Sequence, residues 1–396
     1  MDALMLPSNW QRVRLGDVAE IIGGGTPSTQ ITSFWNGSIN WFTPTEIGIT
    51  KYVYKSQRTI TPLGLKKSSA KLLPIGTILL TSRASIGDCA ILKEIATTNQ
   101  GFQSLIPLEK INNEFLYYLI LTLKNKLLEL ASGSTFLEVS LNKIKNLLIP
   151  LPPLNEQIAI ANILSDVDHY LYSLDALILK KESVKKALSF ELLSQRKRLK
   201  GFNQAWQRVR LGDICEIGNG GAYETLIVEN GDFKLISLNS IDIDGNLKNT
   251  MKRVNFYDNS LKQDDIVMVL SDVAHGDFLG LCAVIPSNDY VLNQRMGRLR
   301  IRNDCINILF LRLYINANQK YFKMQGQGSS QLNLSKKAIE DFEIPLPPLN
   351  EQAAIANVLG ALDSEIISLK NKKRQFDNIK KALNHDLMSA KIRVLK

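Results

Sequence analysis

The nine residues IPLPPLNEQ occupy positions 149–157 and recur at 344–352, 195 positions apart in a chain of 396 residues. A second string, WQRVRLGD, stands at 10–17 and again at 206–213, at an offset of 196. Two identities in the same order at nearly the same spacing mean a tandem duplication, so the fold is built from two like units. Weaker matches fill the space between. TTNQGF at 97–102 lies opposite VLNQRM at 291–296, and GSTFLEVSLNKIKNLLIP at 133–150 lies opposite GSSQLNLSKKAIEDFEIP at 328–345. The stretches 22–96 and 218–290 hardly match. Each unit is therefore a shared frame around a divergent interior, the pattern expected when interiors are exchanged or selected separately.

After each proline string the chain reads as a long helix. Neither Gly nor Pro occurs from Asn155 to Lys200, and only Gly360 interrupts the second stretch to Lys396. Proline suits the entry to a helix, and Glu156 and Glu351 sit where the positive end of the helix dipole favours a carboxylate. The apolar positions Ile160, Leu164, Val167, Leu171, Leu174 and Ile178, then Leu188 and Leu192, step by three and four. The second series is Ile355, Leu359, Leu362, Ile366 and Leu369, then Phe376, Ile379, Leu383 and Leu387. Such a rhythm marks a seam that packs on another helix, and each rod extends roughly 65 Å at about 1.5 Å per residue. Paired antiparallel, the rods place the globular units at opposite ends about an approximate two-fold axis, the geometry that paired half-site readers of duplex DNA require. The basic runs at 180–200 and 370–396 either touch phosphate or keep the rods soluble.

The globular parts read as mixed structure. Short β-rich runs such as GTILLTS, DCAILKEIATTNQ, KLISLNSIDI and DDIVMVLS alternate with turn residues, and NEFLYYLILTLKNKLLELASG and INILFLRLYINANQKYFKMQG read as helices. A chain this long exceeds one ordinary core, and 45% hydrophobic with 22% charged residues is a globular composition. The net charge of +10 suits a polyanionic partner. Four cysteines without C-x-x-C spacing and three scattered histidines indicate neither a zinc site nor a disulfide framework. No leader opens the chain, and the longest apolar run, FLYYLILTL, is about half of a membrane span. A cytoplasmic location is expected.

No catalytic constellation emerges. IGGGTPST at 22–29 lacks the Lys and Ser/Thr of a phosphate-binding loop, with no helix opening after it. It reads better as a loop meeting a DNA phosphate or base edge, with Trp35 and Trp41 either supporting it or serving as core. LPPL has leucine where the adenine methyltransferase signature needs a polar residue. A stand-alone nuclease or modification enzyme would cleave or methylate DNA when assayed alone; a protein-only scaffold would confer no sequence preference on its assembly.

Taken together, PLPPLNEQ followed by AIANIL or AIANVL, WQRVRLGD opening each half, GGGTPS…FWNGSINWFTPTEI, and the NQGF and NQRM strings resemble the specificity subunit of type I restriction-modification systems, over almost the whole chain. The resemblance implies an α+β fold: two α/β target recognition domains in tandem, each followed by a long helix, with the helices paired as an antiparallel coiled coil of pseudo-two-fold symmetry. On this pattern recognition domains fall at 1–150 and 201–345, and spacer helices at 151–200 and 346–396. It implies no catalysis by this chain, which reads a bipartite, asymmetric duplex target, one half per domain. It binds no cofactor itself; S-adenosylmethionine, ATP and magnesium are expected on its partners, two methyltransferase subunits and, through the complex, restriction subunits.

By the same resemblance the repeated strings dock the methyltransferase subunits, through Pro152, Pro153, Asn155, Glu156 and Gln157 and through Pro347, Pro348, Asn350, Glu351 and Gln352. For DNA contact, side-chain chemistry selects Thr26, Ser28, Arg83, Gln100 and Ser134 in the first unit. In the second it selects Gln294, Arg295, Gln325, Gln327 and Ser329. Arg and Gln can bond guanine and adenine bidentately in the major groove. Arg295 and Met296 replace the Gly and Phe of NQGF, which predicts a different use of that loop in the second unit.

Overall fold

A computed structural model of the chain describes residues 6–133, 137–273 and 276–394. It divides into two compact units, Met1–Ala176 with Asn371–Lys396, and Leu177–Lys370. The division falls within both long helices, not at their starts, because each half-helix packs on the sheets of its own unit. Ile160, Leu164, Leu387 and Met388 join the main core of the first unit, and Leu192, Leu193, Ile355 and Leu359 join that of the second.

The two repeated strings are partners in one β-ladder. In the first unit Gln11–Arg14 pairs antiparallel with Leu148–Leu151, setting Arg12 opposite Pro150. In the second, Gln207–Arg210 pairs with Glu343–Leu346, setting Arg208 opposite Pro345. Proline cannot donate to a ladder and is tolerated here because each ribbon has only two strands. Identity of one string therefore constrains the other.

The unlike interiors fold alike. The first unit has a sheet in the spatial order Ala19–Gly23, Gln103–Pro107, Ile78–Leu80, Cys89–Leu92 and Tyr52–Val53. Beside it lies a three-stranded sheet, Arg58–Ile60, Trp35–Phe42 and Ala96–Thr98, whose last pair is parallel. The second unit repeats the first four positions of that order with Cys215–Asn219, Met296–Ile301, Ile266–Val269 and Cys282–Val284, and its sheet has no counterpart of Tyr52–Val53 among the described residues. Its smaller sheet is Arg253–Val254, Phe233–Ile236 and Tyr290–Leu292, again with a parallel last pair. The period-2 alternation of strands explains how different sequences meet the same need. Ile78 and Leu80 face the main core while Leu79 faces a smaller core with Phe42 and Phe102. Ile266 and Met268 divide from Val267 and Val269 in the same way.

The run FLYYLILTL forms a buried helix, Asn113–Thr122, capped by the Asn112 side chain, which accepts from the Phe115 N–H at 2.9 Å. Its counterpart Ile308–Ala317 is capped by Asn307 in the same manner at 3.0 Å. No helix among the described residues is long and apolar enough to cross a membrane.

The long helices, Leu154–Leu193 and Leu349–Met388, are 40 residues each, about 60 Å at the standard rise. Within each unit the first half of one packs antiparallel on the last half of the other. The first unit pairs Asp168 with Lys380, Asp175 with Lys373 (2.9 Å) and Glu156 with Arg393 (2.9 Å). The second pairs Lys185 with Asp363, Glu182 with Lys370 (2.7 Å) and Arg198 with Glu351 (2.5 Å). Residues 195 apart take the same role: Glu156 and Glu351, Asp168 and Asp363, Lys380 and Lys185, Arg393 and Arg198. Several lysines of the basic runs are thus held in ion pairs along the rods. Most predicted seam positions are buried or half-buried, but Ile379 is exposed. At that turn the adjacent Lys380 faces inward to reach Asp168, and Asn384 donates to the Tyr118 carbonyl at 3.2 Å. Polar pairing there displaces the apolar side chain from the seam.

Candidate nucleic-acid interface

In each unit a glycine loop crosses the loop that carries Asn-Gln. The Gly24 N–H donates to the Phe102 carbonyl (3.3 Å) and the Gly25 N–H to the Thr98 carbonyl (2.8 Å). Gly220 bonds Met296 (3.3 Å) and Gly221 bonds Leu292 (3.1 Å) in the same pattern. A Cβ on Gly24 would stand 1.8 Å from the Asn99 carbonyl oxygen, and one on Gly220 would stand 2.2 Å from that of Asn293. The glycines exist to let two backbones touch. No helix opens after the loop; a short 3-10 turn, Thr32–Phe34, leads into a strand, so a phosphate-binding loop is excluded by geometry as well as by sequence.

Around this crossing the first unit gathers Thr26, whose hydroxyl bonds the Gln100 side-chain oxygen, and the exposed Ser28. The Ser82 N–H donates to the Gly101 carbonyl at 2.8 Å, which brings the next residue, Arg83, to the same neighbourhood, in an ion pair with Glu138 at 2.8 Å. Trp35 and Trp41 are buried, 8% and 3% exposed, yet they support the loop as well as the core. The Trp41 indole N–H donates to the Gly25 carbonyl (2.9 Å) and that of Trp35 to the Ser28 carbonyl (3.0 Å). Above them the Arg58 guanidinium stacks 3.8 Å from the Trp35 ring centroid and 5.2 Å from that of Trp41. Sequence reasoning missed Arg58; its separation by one strand pairing from Trp41 is a contact that only the sheet creates. Ser134 lies outside the described residues.

The second unit presents Gln294 and Arg295 on the matching loop, both exposed. The backbone contacts of this loop follow those of the first unit, while its side chains differ. The Leu270 N–H donates to the Arg295 carbonyl (3.0 Å) as Ser82 does to Gly101, and Met296 is fully buried where Phe102 is. Arg295 takes a positive φ of 70°, which Gly101 does not share, so the two turns differ in backbone at this residue. Gln325, Gln327 and Ser329 are exposed, beside the two-stranded antiparallel ladder that pairs Ser271–Val273 with Gln331–Asn333. Where the first unit uses the Arg83–Glu138 ion pair, the second bonds the Ser271 hydroxyl to the Asn333 side chain at 2.6 Å. A single backbone frame thus carries two different sets of side chains.

The repeated strings face mostly inward. Of the predicted docking residues, Pro152, Glu156, Gln157, Pro347, Glu351 and Gln352 are buried, Pro153 and Pro348 half-buried, and Asn155 and Asn350 exposed. Gln157 accepts from the Asn112 N–H (2.8 Å) and donates to the carbonyls of Lys110 (3.1 Å) and Pro152 (2.8 Å). Gln352 repeats this with Asn307 (2.8 Å), Cys305 (2.9 Å) and Pro347 (2.8 Å). Glu351 is held by Arg198 and by the Trp206 indole N–H at 3.0 Å; Glu351 holds the Arg198 guanidinium above its usual pKa. These side chains anchor a helix start to its own domain, which leaves Leu154 and Leu349, each 46% exposed, and the adjacent asparagines as the outward part of each string.

A family model for the type I restriction modification DNA specificity domain matches the chain twice, over residues 7–181 and 203–376. The chain is 36% identical over 235 residues to the type I restriction enzyme MjaIX specificity subunit of Methanocaldococcus jannaschii, covering 54% of each. To the EcoR124I/EcoR124II specificity subunit of Escherichia coli it is 36% identical over 161 residues, covering 39% of this chain and 40% of the other. To the MjaVIII specificity subunit of M. jannaschii it is 28% identical over 423 residues, covering 100% and 95%. It therefore spans about half the length of the first of these relatives and nearly all of the last. Among solved structures, the S subunit of the type I system from M. genitalium matches with a TM-score of 0.62 at 20% identity, over 97% of this chain and 98% of that one. The HsdS subunit from Thermoanaerobacter tengcongensis matches at 0.56 and 19%, over 99% and 100%. At these identities the likeness is one of fold.

Proposed function

Because this chain belongs to the family defined by the type I restriction modification DNA specificity domain, we propose that it is the non-catalytic subunit that gives such a complex its DNA sequence preference. One observation carries the reading: two sheets that share a four-strand order, built from unlike interiors, sit in frames of nearly identical sequence. Like frames suit identical partners, and unlike interiors suit the two halves of an asymmetric target. Each unit reads one half of a bipartite duplex site, and the rods hold the readers apart. Two methyltransferase subunits supply S-adenosylmethionine chemistry on adenine, and restriction subunits supply ATP- and magnesium-dependent cutting, in the cytoplasm. The deciding experiment is a map of methylated adenines in a host with and without this gene, its partners present. A bipartite motif that disappears with the gene supports the reading; an unchanged map sinks it.

Two further results are expected. Carboxylates introduced together as Leu154→Asp and Leu349→Asp abolish co-purification of the methyltransferase subunit, while either alone leaves one copy bound, since a charge replacing an apolar contact is unpaired in an interface. Retention of both copies would place docking elsewhere. Removing seven residues at matched positions from both rods, which keeps the ion pairs in register, shortens the rods by roughly 10 Å. The permitted gap between half-sites should fall by about three base pairs; a motif with its original gap would refute the spacer role.

A further inference from the structure

Among the described residues Arg58 has no carboxylate or hydrogen-bond partner for its guanidinium. The group is instead stacked on Trp35 at 3.8 Å and lies 5.2 Å from Trp41. Arg58 is exposed, on the edge strand Arg58–Ile60. A guanidinium held over an aromatic ring with no hydrogen-bond partner keeps its N–H donors free, and the contact restricts its rotamers before any ligand arrives. The same two tryptophans hold the Gly25 and Ser28 carbonyls, so the cation, the glycine loop and Gln100 share one support. Lys66, Lys67 and Lys71, also exposed, flank Ser69 and Ala70, against which Gly25 packs.

The second unit puts a lysine at the matching place and cancels it. The Leu235 N–H donates to the Lys252 carbonyl, as the register of the first unit sets Trp41 opposite Arg58. Lys252, however, is paired with Glu224 at 3.0 Å, and Glu224 also accepts from the Asn293 amide at 2.6 Å. Tyr223 beside it is bonded to Asp258 at 2.8 Å. One reader offers a bare, rigid fork; the other offers a neutralised lysine.

From this geometry we infer that Arg58 is a base-reading residue of the first half-site and selects guanine through its free guanidinium edge. The inference rests on the DNA-reading function proposed above. Guanine is the base whose major-groove edge presents two acceptors, O6 and N7, to such a fork, whereas glutamine matches the N6 and N7 of adenine.

The test uses the full complex with its methyltransferase subunits, profiling methylation over a library randomised at both half-sites, for wild type, Arg58→Lys and Arg58→Gln. Wild type should show a guanine at one position of the first half. Arg58→Lys, which keeps charge but loses the planar fork, should reduce discrimination at that position by about 5- to 150-fold and leave every other position unchanged. Arg58→Gln should move the preference there toward adenine. Uniform weakening at all sequences, with the profile unaltered, would make Arg58 a phosphate contact and overturn the inference, as would unaltered profile and strength. A wild-type complex with no sequence preference would instead overturn the proposed function. Thermal melts of the variants separate misfolding from lost reading: a variant that melts like wild type yet keeps its guanine also overturns the inference.

Discussion

Gln352→Leu should destabilise the second unit by about 3 kcal/mol, since each buried backbone group left unpaired costs roughly 1–3 kcal/mol. The substitution nearly preserves volume in a fully buried position, so packing is not the cause. What is lost is a three-way link. The Asn307 N–H starts the buried helix of the globular part, the Cys305 carbonyl belongs to the loop before it, and the Pro347 carbonyl belongs to the entry of the long helix. One amide suits all three because it offers an acceptor and two donors in one plane. Glutamate would fail too, by facing two carbonyls with a carboxylate. Gln157→Leu should do the same to the first unit through Asn112, Lys110 and Pro152. Urea unfolding followed by tryptophan fluorescence measures both. A loss below about 0.5 kcal/mol, within the range of ordinary surface substitutions, would show that the amide does not tie the helix to its domain.

Exchange of residues 24–102 for the corresponding interior of another family member should replace one half of the methylated motif and leave the other half untouched. The boundaries follow from the fold. Ala19–Gly23 and Gln103–Pro107 pair with one another, so cutting between them and the interior preserves the ladder that closes the frame. The interior carries its own small cores, one around Phe42, Leu79, Ala90, Leu92 and Phe102 and another around Phe34, Trp35, Trp41 and Ile60. It meets the frame through Ile78, Leu80, Cys89 and Ile91. A donor with apolar residues at those alternate positions should fold, because strand burial asks for pattern before identity. The methylated-adenine map reads the outcome. Loss of both halves, or retention of the original first half, would contradict independent reading by the two interiors.

Much of this architecture was legible in the chain itself. Duplication, the frame and the divergent interior appear as strings at one offset, and the rods appear as three- and four-residue steps. These signals are local or self-referential, so they survive without coordinates. The side chains of the repeated proline string were harder to place. Glu156 and Gln157 follow prolines at a helix start, a position that reads as surface, yet they are buried by partners far away in sequence, Arg393 for the first and Asn112 for the second. Ile379 fits the heptad but yields its place to Lys380, because Asp168 waits across the seam.

The sequence by itself determined that there are two units, that each ends in a long helix, and that their interiors differ while their frames agree, since period and repetition are properties of a string. Tertiary structure alone decided that the two repeated strings are strand partners and that unlike interiors close into sheets sharing one strand order. It also decided that the tryptophans hold both a glycine loop and an arginine. The physical reason is that burial and pairing depend on which groups meet across the sheet and the helix seam, and those meetings join residues tens to hundreds of positions apart that no local pattern records.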